Sequence, residues 1–216
     1  MKTQLPQSTI ARLCLVFRLC EELEQQGAER VSSTQIGREL DVAPHTIRKD
    51  FNHLGEIGHT GSGYAVVELR QHLSRALGFE REHRACIVGL GRLGSAILAH
   101  ETFGASGFTL VAGFDASINR VETLQAQIPL HPAYDIIEVV QREAIRLAVI
   151  AVPRVAAQEV ADALVAGGVR GIINFAPVVI KPHHGDVAIR NVNVVNEMRI
   201  LSSILTLRTC SADGSC

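Results

Sequence analysis

The sequence predicts an α/β fold in two parts, a winged helix-turn-helix followed by a Rossmann-type parallel sheet. Three observations predict it. The first 84 residues are charged and carry helix-period apolar spacing that closes in a glycine-punctuated stretch. From Ala85 onward, short apolar runs alternate with helix-period segments, the pattern of parallel strands joined by crossover helices. A glycine fingerprint follows the first of those runs directly.

In the first part, spacing predicts helices over 8–26, 33–40, 44–56 and 67–78. Ser32 and Gln35 stand at capping-box distance, so the second helix begins there and runs to a turn at Asp41 and Val42. Pro44 suits the first turn of the third helix, where a missing N–H costs nothing. On that helix Ile47, Phe51 and Leu54 form an inward apolar stripe, while His45, Arg48, Lys49 and Asn52 form a separate polar, basic face. Gly58, Gly61 and Gly63 then punctuate HTGSGYAV as a tight hairpin, the expected wing. In such a fold the third helix enters the major groove, where Arg reaches guanine and Asn reaches adenine. The polar stretch GFEREHR, at 78–84, separates this domain (1–84) from the next (85–192).

The second part is read from the strands ACIVGLG, FTLVAGFD, RLAVIAVP, GIINFAP and DVAIRNV. Gly89-Leu90-Gly91-Arg92-Leu93-Gly94 matches GxGxxG between a strand and an amphipathic helix. Gly89 serves the tight turn, Gly91 the approach of a pyrophosphate to backbone N–H groups, and Gly94 the packing of helix on strand, with Arg92 as a further phosphate contact. Asp115, 21 residues beyond Gly94 at the end of the next strand, stands where a carboxylate takes the adenosine ribose, which favours NAD(H) over its 2′-phosphorylated counterpart.

Composition narrows the function classes. No apolar run reaches the roughly 20 residues of a membrane span, and Arg12 and Arg18 interrupt the apolar N-terminal run, against a signal peptide. The five cysteines form no CxxC pair and no cluster with histidine, so no metal site is expected and a reducing cytoplasm is. The net charge is −1, and residues 1–84 balance 11 basic against 11 acidic side chains, so a DNA-binding face has to be local. Too few residues follow the fingerprint for a substrate domain. His100, His131, His183 and His184 are dispersed, with no partner at proton-relay spacing, which points to sensing a cofactor and not to turning it over.

With these residues in view, the sequence resembles the Rex family of redox-sensing transcriptional repressors through SSTQIGRELDV, TIRKDF, LGEIG, GSGYAV, LGFERE, CIVGLGRLGSA, GFDA, VPRVAAQEVADALV and GIINFAPV, in order, up to about Leu207. The resemblance implies a homodimer on an inverted-repeat operator, bound when apo or NAD⁺-loaded and released by NADH. It also implies a C-terminal helix at 193–208 exchanged between subunits, before a disordered tail at 209–216. It assigns Gly89, Gly91 and Gly94 to pyrophosphate, Asp115 to ribose, Val152 and Pro153 to the adenine side, and Asn174, Phe175 and Ala176 to the nicotinamide side; Leu90, Arg92 and Leu93 in the same loop are further cofactor-binding candidates. For DNA it implies Arg48 and Lys49 on the recognition helix, with the wing from His59 through Ser62 to Tyr64; His45, Thr46 and Asn52 on the same helix are further DNA-binding candidates.

Two positions depart from the family pattern. His100 stands where the family has Tyr and Asn193 where it has Asp, two members of a network that also includes Arg18, which this chain keeps. An imidazole titrates near neutral pH and an amide carries no charge, so weaker, pH-dependent discrimination of NADH from NAD⁺ is one expectation. The other is that Glu197, one turn on, supplies the missing carboxylate. The alternatives carried forward are a Rex-like regulator that has lost redox discrimination, binding another nucleotide or acting constitutively, and a small NAD-dependent oxidoreductase.

Overall fold

The computed structural model describes residues 5–55, 63–100, 106–181 and 186–213, with side chains as far as Arg208. His59, Ser62 and most of the expected wing lie outside the described residues. The chain divides into two compact units, Met1–Arg81 and Glu82–Cys216, each built on its own core.

The first unit contains α1 (Gln7–Gln25), β1 (Arg30–Val31), α2 (Ser33–Glu39), α3 (Pro44–Asn52), β2 (Tyr64–Ala65) and α4 (Val66–Leu77). The capping box forms as the spacing predicts: the Gln35 N–H donates to Ser32 Oγ (3.1 Å), and the Ser32 N–H donates to Gln35 Oε1 (2.8 Å). Apolar residues from all four helices meet in one core, with Leu13, Val16, Ile36, Ile47, Phe51, Leu69 and Leu73 almost fully buried. Arg70 on α4 pairs with Glu24 on α1 (2.6 Å), reinforcing the seam between those helices.

The third helix is shorter than the expected 44–56. It stops at Asn52, because the His53 and Leu54 N–H groups turn back to the Asp50 and Phe51 carbonyls and Gly55 takes φ +96°, which ends helical geometry. The His72 ring nitrogen on α4 donates to the Leu54 carbonyl (3.1 Å) and secures that end. Among the described residues, the strand partner of Tyr64 and Ala65 is Val31 and Arg30, antiparallel, so the base of the wing is built on the segment before α2.

The second unit is a parallel sheet in the order β5-β4-β3-β6-β7-β8. Its strands are β3 (His83–Val88), β4 (Phe108–Asp115), β5 (Leu130–Pro132), β6 (Leu147–Ile150), β7 (Gly171–Asn174) and β8 (Ala188–Asn191). Helices α5 (Arg92–Leu98), α6 (Ile118–Thr123), α7 (Ile136–Arg142) and α8 (Ala157–Gly167) make the crossovers. This doubly wound order reverses direction between β3 and β6, and it is there that the carboxyl ends of the strands open a crevice.

Side chains alternate across the sheet with period two. Cys86 and Val88 face the large core formed with α7 and α8, whereas Ile87 joins Leu90 and Val149 in a smaller cluster under α5. Ile173 on β7 stays 43% exposed, so the α5 face is only partly covered. Burial pushes the Cys86 thiol up to about 12, in keeping with a small core residue.

The first boundary falls at Arg81, three residues before the 84 read from the sequence, because β3 already begins at His83. The last helix, α9 (Val194–Asp213), extends five residues into the 209–216 stretch expected to be disordered. No helix among the described residues is long and apolar enough to cross a membrane.

Candidate functional site

The three fingerprint glycines do three different jobs. Gly89 adopts φ +94°, and a Cβ there would come within 2.5 Å of the Ala151 carbonyl oxygen. At Gly94, the third residue of α5, a Cβ would overlap the Gly89 carbonyl oxygen. At Gly91 a Cβ would meet nothing within 4 Å, so the bare backbone borders open space. That space lies at the start of α5, where Arg92, Leu93 and Gly94 N–H groups have no intrahelical acceptor. A diphosphate fits such a cradle: small residues admit it, and N–H groups and the helix dipole favour its charge.

Arg92 and Leu93 are exposed at this loop, but the Leu90 side chain is core, 1% exposed. Leu90 serves through its backbone, donating N–H to Asp115 Oδ2 (2.7 Å). Asp115, at the end of β4 and 5% exposed, also accepts from the Ser117 N–H (2.8 Å) and from Arg120 Nη1 on both oxygens (3.0 and 2.9 Å). Burial pushes its carboxyl up, but the bonds from Ser117, Leu90 and Arg120 outweigh that and hold it below the usual carboxylate range. Arg120 was not singled out in the sequence, although an Arg five residues past the ribose carboxylate is a signal that could have been read.

Across the crevice, Val152 borders Gly89, with its Cγ1 2.9 Å from where a Gly89 Cβ would stand, and Pro153 is exposed beside it. On the expected nicotinamide side, Asn174 is 0% exposed and fully engaged. Its Nδ2 donates to the Val178 carbonyl (2.7 Å) and Asn191 Oδ1 (2.8 Å), and its Oδ1 accepts from the Ala176 N–H (2.9 Å). Asn174 therefore shapes the 175–178 loop and has no free group for a ligand. Ala176 is buried, while Phe175 is partly exposed and packs on the cluster under α5. Of the three residues expected there, Phe175 alone presents side-chain surface of any size.

On α3 the predicted faces separate as expected: Ile47 and Phe51 are buried, His45, Arg48, Lys49 and Asn52 are exposed, and Thr46 is intermediate. Arg48 Nη1 donates to Ser33 Oγ (2.9 Å) at the start of α2, which aims the guanidinium. Tyr64 stacks edge-on against Phe51 (5.0 Å between centroids, 88°) and so braces α3 from beneath. Three residues whose role the sequence did not reveal, Thr9, Arg12 and Asp50, hold that helix in place. Asp50, 3% exposed on α3, accepts from Arg12 Nε (2.6 Å), Arg12 Nη2 (2.9 Å) and Thr9 Oγ1 (2.9 Å) on α1. An acidic residue three positions after Ile47, on the inward apolar stripe of α3, was the available signal.

The residues expected to form the switch fall in both units. Arg18 is exposed on α1 and pairs with Glu22 one turn on (3.5 Å). In the second unit His100 lies exposed at the end of α5, where it lines a cleft of about 700 Å³ with Ser95, Phe108 and Gln125. Asn193 caps α9, its Oδ1 accepting from the Asn196 N–H (3.1 Å), and Glu197 is exposed one turn further along.

A helix-turn-helix unit with an outward basic face, on one chain with a doubly wound sheet and phosphate loop, defines a nucleotide-responsive DNA-binding regulator. Residues 4–52 match the family model described as a putative DNA-binding protein N-terminus, and residues 80–178 match a CoA binding domain. The redox-sensing transcriptional repressor Rex of Thermus thermophilus is 40% identical over 92% of this chain and 93% of its own length. The crystal structure of RSP with β-NAD⁺ and operator DNA superposes with a TM-score of 0.87 at 30% identity, covering 98% of this chain and 97% of that one. RSP in complex with β-NADH gives 0.85 at 29% identity, with 98% and 99% covered. The chain belongs to the Rex family of redox-sensing transcriptional repressors.

Proposed function

We propose that this chain is a homodimeric repressor whose hold on an inverted-repeat operator is set by bound NAD(H). It binds DNA when apo or NAD⁺-loaded and releases it with NADH. The observation that carries this reading is the coexistence of the outward basic face of α3 with the open space at Gly91 in the phosphate loop. RSP, with its NAD⁺–operator and NADH complexes, supports it.

In this reading the dinucleotide supplies a nicotinamide whose charge differs between its two redox forms. Gly91 and the first N–H groups of α5 hold the diphosphate, Val152 and Pro153 flank the adenine, and Phe175 presents a face toward the nicotinamide. NADH then acts by binding one of two dimer states more tightly, which shifts the population away from the DNA-competent state. The role is ligand-controlled binding without turnover, and it places the protein in the cytoplasm.

The dimer is supported by α9, which leaves Val194, Met198, Leu201 and Leu205 each more than 60% exposed. Together with exposed Ile173, this is apolar surface that a second copy would cover, with α9 exchanged between subunits.

The test is a titration of labelled inverted-repeat DNA at fixed salt and pH 7, with NAD⁺ or NADH added in parallel. Release by NADH alone is the expected result; indifference to both with NAD(H) bound would mean that the redox response has been lost. In the same assay Arg48→Ala is expected to cost about 1–3 kcal/mol and relax preference at one base pair. An even loss across all DNA sequences would make Arg48 a phosphate contact instead.

A second reading, weakened redox discrimination, is favoured by the uncharged Asn193 cap and by His100. Restoring Asn193→Asp with His100→Tyr is expected to raise the NADH-to-NAD⁺ affinity ratio by about five- to tenfold, the worth of one charge-assisted hydrogen bond. Identical ratios in parent and double variant, measured by calorimetry, would remove that reading.

A further inference from the structure

We infer that Arg120 determines specificity at the ribose end of the crevice, and that this site takes the 2′-phosphorylated dinucleotide NADP(H) as well as NAD(H). The inference rests on the dinucleotide reading above. A carboxylate has about four lone-pair positions for hydrogen bonds. Those of Asp115 receive the Leu90 N–H, the Ser117 N–H and Arg120 Nη1 on each oxygen. The two backbone donors belong to the loops that shape the site and cannot leave without disturbing them. A ribose diol therefore reaches Asp115 only when Arg120 yields at least one oxygen.

Arg120 is held where this competition takes place. It is the third residue of α6, and its N–H donates to the side chain of the capping Ser117 (3.4 Å). Its side chain is 47% exposed, and among the described residues its Nε and Nη2 have no partner.

Without Arg120, Asp115 would repel a phosphate at the ribose 2′ position. With it, the pair is neutral, and the two remaining donor groups form a fork suited to two phosphate oxygens. Dinucleotide folds use an acidic residue here for the 2′-hydroxyl and a nearby arginine for the 2′-phosphate. This chain carries both.

The two ligands should respond to Arg120 with opposite sign. Nicotinamide fluorescence titrations of the full-length protein with NADH and with NADPH would read this directly. The parent is expected to bind NADPH no more than about tenfold more weakly than NADH. Arg120→Ala is expected to tighten NADH about threefold, because the ribose no longer competes, and to weaken NADPH by at least about tenfold. Arg120→Lys, which keeps the charge, should retain NADPH within about threefold of the parent and controls for loss of folding. Equal fold-changes for the two ligands in Arg120→Ala, or a parental preference for NADH above about tenfold, overturn the proposal. If the parent binds neither dinucleotide, the underlying nucleotide reading fails with it, a result distinguishable from either of those.

Discussion

Replacing Gly94 by alanine is expected to abolish measurable NADH binding and to destabilise the second unit by about 1–3 kcal/mol. Helix propensity alone would favour alanine at this position by about 1 kcal/mol, so any net loss reports the steric clash. The new Cβ would overlap the Gly89 carbonyl oxygen, and its relief would have to move backbone, since the obstruction is no flexible side-chain tip. Gly89 cannot retreat freely, because its N–H is bonded to the Phe114 carbonyl (2.8 Å) and the Ala151 carbonyl stands so near that no Cβ would fit between them. Gly91→Ala makes the contrast. Its Cβ enters open space, so the melting temperature should stay within about 1 °C of the parent, while NADH affinity falls about 10- to 100-fold as the cradle fills. Thermal unfolding beside a fluorescence titration separates the two. A Gly91→Ala protein with parental NADH affinity would mean that the phosphates lie elsewhere.

Arg12→Ala is expected to remove about 2–4 kcal/mol from the first unit and to lower operator affinity more than tenfold. Asp50 would be left buried with Thr9 Oγ1 as its one side-chain donor. The loss falls somewhat below that of a fully buried pair because the Arg12 side chain is 25% exposed. The double variant Arg12→Ala with Asp50→Ala should recover part of it, since the stranded charge is then gone; a double variant less stable than either single would contradict this. Burial pushes the Asp50 carboxyl up, but hydrogen bonds from Arg12 and Thr9 and the Arg12 charge bring it below its ordinary 3.8. With a folded value lower than the unfolded one, the pair stabilises fully above about pH 4 and is lost as pH falls through the folded value. Asp50→Asn should flatten that acid limb of urea-unfolding stability, and an unchanged limb would assign it to other groups.

Helix α2, the Pro44 start of α3 and the glycine loop were legible because each depends on local chemistry: a cap, a missing N–H, a residue without a Cβ. The end of α3 was not, since Leu54 continues the apolar stripe and the turn is closed by His72 from a helix 18 residues away. Asp115 could be found by its distance from the glycines, but its saturation by Arg120 could not, because hydrogen-bond occupancy is a property of the folded loop. Asn174 shows the same limit from the other side. The resemblance assigned it to the nicotinamide side, and only the positions of Val178, Ala176 and Asn191 reveal that its amide is spent on two backbone groups and the Asn191 side chain.

The exposed apolar length of α9 ties the fate of each chain to how many chains there are. A helix that its own subunit leaves uncovered is stabilised by mass action, so folded, assembled repressor rises steeper than linearly with expression at low abundance. In the proposed dimer with α9 exchanged, a damaged copy is then not silent: it draws an intact copy into a mixed pair, and a DNA-binding defect in one allele dilutes the activity of the other.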